Sequence, residues 1–400
     1  MHAIKLLHKS IQNTCPNIHK TRLESLTSAV SALSNNGTLT VTGLGRSSHS
    51  SIQVKNKIKK ADRLVGNKHL QNESIDIYKA LAQLLIGNKK HPLIIVDWAT
   101  IDERDKFQVL KAAIAYEGRA ITIYDHVGYT DRPKLKENNS HDQFIKNLAK
   151  ILPKGCKPII VSDAGFTAKW FKRIIAKGWY FVGRLRGLVK LHKENQYVWQ
   201  SCKNLFKEAT HIPKYLGEYS VAKSNSVNCD VYIYKSKKKG RVAKNKTGSI
   251  KKKNTKMDYA KAANEPWLLV TNLPRSFNIA KKVIKFYKTR MQIEETIRDN
   301  KNLRYGFGIN HTLSNTKERV AVLMLIAALA HFILAIIGTF AYQTGIFRHY
   351  QANTITTTRV LSIIFLGQQV LQHFRDTIPK NEILSAFDTI THGILTHGIQ

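Results

Sequence analysis

Hydrophobic spacing changes character several times along the 400 residues. From the N-terminus to about residue 75 apolar positions recur at helical intervals. Within that stretch Thr38–Leu44 and Ile52–Val65 predict a short helix–turn–helix pair, with Gly45 allowing the turn. A block of strands follows. Leu93-Ile94-Ile95-Val96 is a continuous apolar run ending in Asp97, and Val109–Tyr116 and Ala120–Val127 flank Glu117-Gly118-Arg119 as a hairpin. His141–Leu152 has helical spacing that Pro153 and Gly155 stop. Pro158-Ile159-Ile160-Val161-Ser162 is a second buried-type strand, ending in Asp163. Ala164-Gly165 makes the turn, Ala168–Ala176 is a helix, and Trp179–Arg184 is the next strand.

From about 190 to 262 short alternating segments take over, such as Val227, Cys229, Val231 and Ile233 on one face of a strand. Lys235–Lys261 holds twelve Lys/Arg and one acid, Asp258, which predicts a flexible basic loop. Strand character returns at Trp267–Thr271. A long amphipathic helix is predicted over Ile279–Asn300, and another begins near Lys317 with Asn315 and Glu318 as a rough capping pair. That helix runs through Val320–Tyr342 with His331 as its one strongly polar residue. Its length would span a membrane, but burial at the centre of a large domain is the favoured reading. The last fifty residues read as helical, ending in a repeated Thr-His-Gly-Ile at 391–394 and 396–399.

Three strands with a hairpin, then helix, strand, helix, strand, is the order of an RNase H-like α/β domain. Alternation alone also fits a doubly wound sheet, and the early hairpin and acidic strand ends favour the former. The predicted organisation is a helical N-terminal region (1–75), the first part of the RNase H-like domain (76–190), a β-rich basic insertion (191–262), the second part of that domain (263–345) and a helical C-terminal region (346–400).

Charge narrows the partner. There are 64 Lys and Arg against 27 Asp and Glu, a formal net charge of +37. Self-repulsion of that size favours a polyanion, nucleic acid before an anionic membrane. Lys55, Lys59, Lys60 and Arg63 recur at three- to four-residue spacing on the second helix of the N-terminal pair, as a DNA-binding face or a solvated one. The cysteines at 15, 156, 202 and 229 form no CxxC pair, which argues against a zinc ribbon and for a reducing compartment. The N-terminus shows no signal-peptide pattern.

Scarce acids in apolar strands need a reason. On the 279–300 helix, Tyr287, Arg290, Glu294 and Lys301 at spacings of three, four and seven fall within roughly 60° of arc. Local ion pairs on such a stripe are worth only about 0.3–0.5 kcal/mol each. If the strands of Asp97 and Asp163 are adjacent, their carboxylates converge at one sheet edge, where Glu294 can join them. Two such charges about 4 Å apart repel by ~4 kcal/mol at an effective dielectric of about 20, so the cluster wants a cation. Oxygen-only ligands suit Mg²⁺ or Mn²⁺, and two such ions cleave phosphodiesters.

Tyr287-x2-Arg290-x3-Glu294-x6-Lys301 matches the YREK signature of DDE transposases of the insertion-sequence-four family, and the chain resembles that family's Tn-ten type from end to end. Supporting segments are Lys59–Asn67, Val96-Asp97-Trp98, Val161–Phe166, Pro266–Asn272 and Arg290–Thr296. The resemblance implies Asp97, Asp163 and Glu294 as the metal-binding catalytic triad, with Tyr287, Arg290 and Lys301 on phosphates near the scissile bond. It implies Trp267 stacked on a flipped base and Arg184 near the hairpin; core packing and a solvated strand end are the plain alternatives. It further implies excision through DNA hairpins, transfer of 3′ ends to target DNA, binding to terminal inverted repeats, a homodimer in the synaptic complex, and a nucleoid-associated place in the bacterial cytoplasm. Three other readings stand beside it: an RNase H-like nuclease without strand transfer, a decayed non-catalytic DNA binder, and a membrane protein anchored by Val320–Tyr342.

Overall fold

The computed structural model describes residues 1–101, 106–130, 134–194, 198–236, 265–374 and 377–394. Nearly all of the basic run Lys235–Lys261 and the second Thr-His-Gly-Ile repeat lie outside them. In chain order the elements open with five helices, α1 (His2–Thr14), α2 (Lys20–Ser34), α3 (Val41–Arg46), α4 (Val54–Val65) and α5 (Lys68–Ile86). Strands β1 (Leu93–Thr100), β2 (Phe107–Tyr116) and β3 (Arg119–Tyr129) follow, then α6 (Lys134–Ile151), β4 (Ile159–Ser162), α7 (Ala168–Ala176) and β5 (Tyr180–Leu185). Next come β6 (Lys190–His192), β7 (Gln200–Ser201), β8 (Lys214–Val221), β9 (Val227–Tyr234) and β10 (Trp267–Thr271). The described chain closes with α8 (Ile279–Thr289), α9 (Met291–Lys301), α10 (Lys317–Gln343), α11 (Ile363–Phe374) and α12 (Lys380–Gly393).

The chain folds as two compact units, one of Met1–Pro158 with Arg290–Gln400 and one of Ile159–Thr289. In the first unit β1, β2 and β3 form an antiparallel ladder. Glu117 and Gly118, both at positive φ, make the two-residue β2–β3 turn, the hairpin geometry that matches strand twist. α10 packs against β3 and is flanked by α2, α5, α11 and α12. Its apolar stretch, long enough to cross a membrane, is 94% buried inside the fold. Gly338 of α10 and Gly367 of α11 let the two backbones touch, because a Cβ on either would collide with a carbonyl of the other helix.

The helix–turn–helix pair is present as α3 and α4, with one correction. Gly45 lies inside α3 rather than in the turn, and a Cβ there would stand 2.6 Å from the Ile58 Cα. The glycine is required for close helix approach. α4 buries Ala61, Leu64 and Val65 and turns Lys55, Lys59, Lys60 and Arg63 outward.

In the second unit the sheet order is β4-β5-β10-β9-β8-β6-β7. β4 and β5 are parallel across α7, the one parallel pairing among these strands, and α8 packs on β4, β5, β9 and β10. Three local expectations are revised. β1 continues past Asp97 to Thr100, since Trp98, Ala99 and Thr100 pair with Leu110, Val109 and Gln108. The single helix expected over 279–300 is two, divided at Arg290. The Thr289 hydroxyl donates to the Phe286 carbonyl at 2.7 Å, and α9 restarts with the Ile293 N–H on the Arg290 carbonyl. The α10 cap is Thr316, whose Oγ1 accepts the Arg319 N–H at 3.4 Å, in place of the Asn315–Glu318 pair.

Candidate active site

In the first unit Asp97 stands opposite Lys111, which stands opposite Asp125, so the three project from one face of the sheet. Lys111 and Asp125 are closed off from water. The ammonium donates to Asp125 Oδ2 at 2.8 Å and Thr122 Oγ1 at 3.0 Å, and lies 2.7 Å from Oδ1. Burial pushes the Asp125 carboxyl up, against the opposing pull of Lys111. Asp97 turns instead toward α9. Its Oδ1 accepts the Trp98 N–H at 2.9 Å and its Oδ2 accepts from Arg290 Nη1 at 3.3 Å. The same Nη1 lies 2.5 Å from Glu294 Oε1. Asp97 and Arg290 side chains are each 13% exposed and Glu294 is 40% exposed. One guanidinium thus joins two carboxylates that are 197 positions apart in Asp97 and Glu294 numbering.

α9 is held in place by β3. The Thr296 hydroxyl accepts the Ala120 N–H at 2.7 Å and reaches the Ala120 carbonyl at 3.1 Å, while Arg119 Nε donates to Asp299 at 2.6 Å. These bonds fix the turn that carries Glu294. Glu295 faces Arg119 and Arg298, so the neighbouring acids are told apart by their partners. Lys301 ends α9 beside Thr100, Ile101 and Ile297. The continuous stripe of Tyr287, Arg290, Glu294 and Lys301 is therefore replaced by Glu294 and Lys301 on α9, Arg290 at its cap, and Tyr287 on α8.

In the second unit Asp163 directly follows β4, half-buried, with its Oδ1 accepting the Gly165 N–H at 2.9 Å. Arg184 sits in β5 opposite Leu269 of β10. It is held by Glu265 at 3.2 Å, which also takes Arg186 at 2.5 Å. Trp267 opens β10, half-buried, opposite Tyr234. Its ring lies 5.9 Å from that of Tyr234 and 5.0 Å edge-on from that of buried Tyr287, and Lys288 Nζ stands 5.2 Å from the Tyr234 centroid. Glu265, Tyr234 and Lys288 were not singled out from sequence. A lone acid beside Pro266-Trp267 was the available signal for the first.

Residues 88–333 match the sequence profile of the transposase DDE domain. The chain belongs to the DDE transposase family. No curated relative matches the sequence. The DDE domain accounts for the mixed α/β architecture and makes the protein one that acts on nucleic acid.

DDE transposase domains generally work with divalent metal ions. Among the described residues no group of three or more His, Cys, Asp or Glu side chains stands together as a ready-made metal site. The two carboxylates of the first unit nevertheless have the donor chemistry a hard cation takes, and they already share one positive charge in Arg290. In the DDE transposase Asp97 and Glu294 therefore form an acidic pair whose present cation is the Arg290 guanidinium.

Proposed function

We propose that the protein is a cut-and-paste DNA transposase of the insertion-sequence-four type. It binds the terminal inverted repeats of its element, excises the element through hairpin intermediates and joins the 3′ ends to target DNA. The observation that carries this reading is the sharing of Arg290 by Asp97 and Glu294 in a chain whose Tyr287, Arg290, Glu294 and Lys301 keep the YREK spacing.

Asp97, Asp163 and Glu294 are the residues that would hold the metal, Mg²⁺ or Mn²⁺, two ions per active site. Bound there, the ions would supply an activated water and charge neutralisation at the leaving 3′ oxygen. The rest falls to the chain. Arg290, with its planar fork, and Lys301, a point charge, bind phosphates next to the scissile bond. Tyr287, which the resemblance puts on a phosphate, is buried with its ring edge-on to Trp267, so here it supports Trp267, on which a base displaced from the hairpin stacks, and Arg184 neutralises the bent backbone. Lys55, Lys59, Lys60 and Arg63 carry α4 along the duplex at the element's ends. Two protomers, one at each end, form the synaptic assembly.

The test uses purified protein with a duplex bearing the terminal repeat. Asp97→Ala, Asp163→Ala and Glu294→Ala retain end binding and lose nicking in Mg²⁺. Metal-dependent nicking by all three variants would overturn the triad. Incubating a pre-cut end with a target plasmid then separates a transposase, which yields joined product, from a nuclease, which does not.

A further inference from the structure

The structure shows a cation already in place between two of the proposed metal ligands. Arg290 Nη1 contacts Asp97 Oδ2 at 3.3 Å and Glu294 Oε1 at 2.5 Å, from a side chain only 13% exposed. We propose that Arg290 is the resident counterion of the DNA-free site, competing with divalent ions for Asp97 and Glu294 until a DNA phosphate draws the guanidinium away. The inference rests on the reading of those two carboxylates as metal ligands, and adds an order of events that the reading leaves open.

Three features support it. A guanidinium keeps its charge at every accessible pH, so Arg290 leaves the carboxylates only by exchanging them for another anion. The anion that a chain of net charge +37 gathers is the phosphodiester. Arg290 also stands between α8 and α9, outside both, while α9 itself is tied to β3 through Thr296 and Asp299. The carboxylate on α9 therefore stays in place when the guanidinium turns away.

The consequence is reciprocal coupling. If DNA removes Arg290 from the carboxylates, metal affinity rises on DNA binding, and by linkage DNA affinity rises on metal binding by the same factor. Metal is then loaded where a phosphate is present to be cut.

The full chain is titrated with Mn²⁺ and the free ion is followed by electron paramagnetic resonance, without DNA, for wild type, Arg290→Gln and Arg290→Lys. Circular dichroism reports the fold of each. Arg290→Gln is expected to bind Mn²⁺ about ten- to a hundredfold tighter than wild type, the worth of a charge-assisted hydrogen bond. Arg290→Lys falls between, since a point charge does not bridge both acids. Equal or weaker binding by a folded Arg290→Gln would overturn the counterion role. Tight binding that survives adding Asp97→Asn and Glu294→Gln to Arg290→Gln would instead overturn the assignment of the ligands, so the two failures are distinct. Should Arg290→Gln not fold, wild type alone decides: Mn²⁺ affinity that does not rise on adding repeat-bearing duplex refutes the coupling.

Discussion

Lys111→Met isolates the buried ion pair beside Asp97. Wild-type Lys111 and Asp125 side chains are 2% and 1% exposed, and the ammonium contacts both carboxylate oxygens and the Thr122 hydroxyl. Methionine fills similar space but leaves Asp125 as a buried acceptor facing no donor from Lys111. Breaking such a pair by removing one partner costs about 3–5 kcal/mol, which for a unit of this size lowers the melting temperature by on the order of 10 °C. The pH dependence gives the sharper test. Burial already raises the Asp125 carboxyl, and Lys111 is what opposes the rise. Without it the folded-state value climbs further above the unfolded one. A group raised in that direction contributes its stability below the unfolded pKa, about 3.9, and loses it as pH rises through the folded value. The deficit of Lys111→Met relative to wild type is therefore small near about pH 4 and grows toward neutrality. Urea denaturation followed by circular dichroism at several pH values measures it. Adding Asp125→Leu to Lys111→Met restores most of the loss, because an apolar pair needs no partner. A deficit below about 1 kcal/mol at neutral pH, or one independent of pH, would refute the account of a desolvated charge pair.

His331 gives a second pH signature. It is fully buried in α10, stacked 4.7 Å from Phe307, and burial pushes its imidazole down to about 3. Wild type therefore loses stability as pH falls below about 6.5, where only the unfolded histidine takes a proton, and His331→Phe removes that loss; the difference approaches about 1.4 kcal/mol per pH unit in acid denaturation curves. Thr296→Val leaves the Ala120 N–H without its hydroxyl partner, at a cost of about 1–3 kcal/mol in thermal melts. Because Thr296 sets α9 against β3, nicking assays are expected to show a larger loss than DNA-binding assays do.

β1 to β5 are readable because their apolar runs are short and bounded, β9 from its alternation and β10 from its apolar run, whereas β6, β7 and β8 carry too few apolar positions to be placed individually. What the sequence could not carry is set across strands or across the fold. Asp97 reads as a strand end because Trp98–Thr100 lack an apolar run, yet these residues pair with β2 and prolong β1. Lys111 reads as one charge in an apolar stretch, and its partner Asp125 becomes visible only once the β2–β3 register is known. The helical period runs unbroken through Arg290, so the division between α8 and α9 has no apolar signal; it arises from the hydrogen bonding of Thr289 and Arg290. At the site, the residue types and their spacing were legible. That Arg290 would face Asp97 as well as Glu294 was not, since the first contact joins distant segments.

The excess of positive charge also divides by chemistry. Among the described residues the carboxylates that form ion pairs mostly hold arginines: Asp97 and Glu294 share Arg290, Glu265 takes Arg184 and Arg186, Asp230 and Glu218 take Arg275, Asp299 takes Arg119, and Asp62 takes Arg319. A planar fork matches a carboxylate in fixed geometry and matches a phosphate equally well. Lys55, Lys59 and Lys60 of α4 instead face solvent. Under the proposed function this predicts two separable effects of salt. Exposed lysines contribute affinity that falls by about 0.9 per contact on a log–log salt plot. Arginines held by acids contribute less to that slope, because each must first give up a carboxylate before it can neutralise a phosphate. Such an exchange is selective for DNA presented at the right place, and it makes the acids part of the recognition as well as of the chemistry.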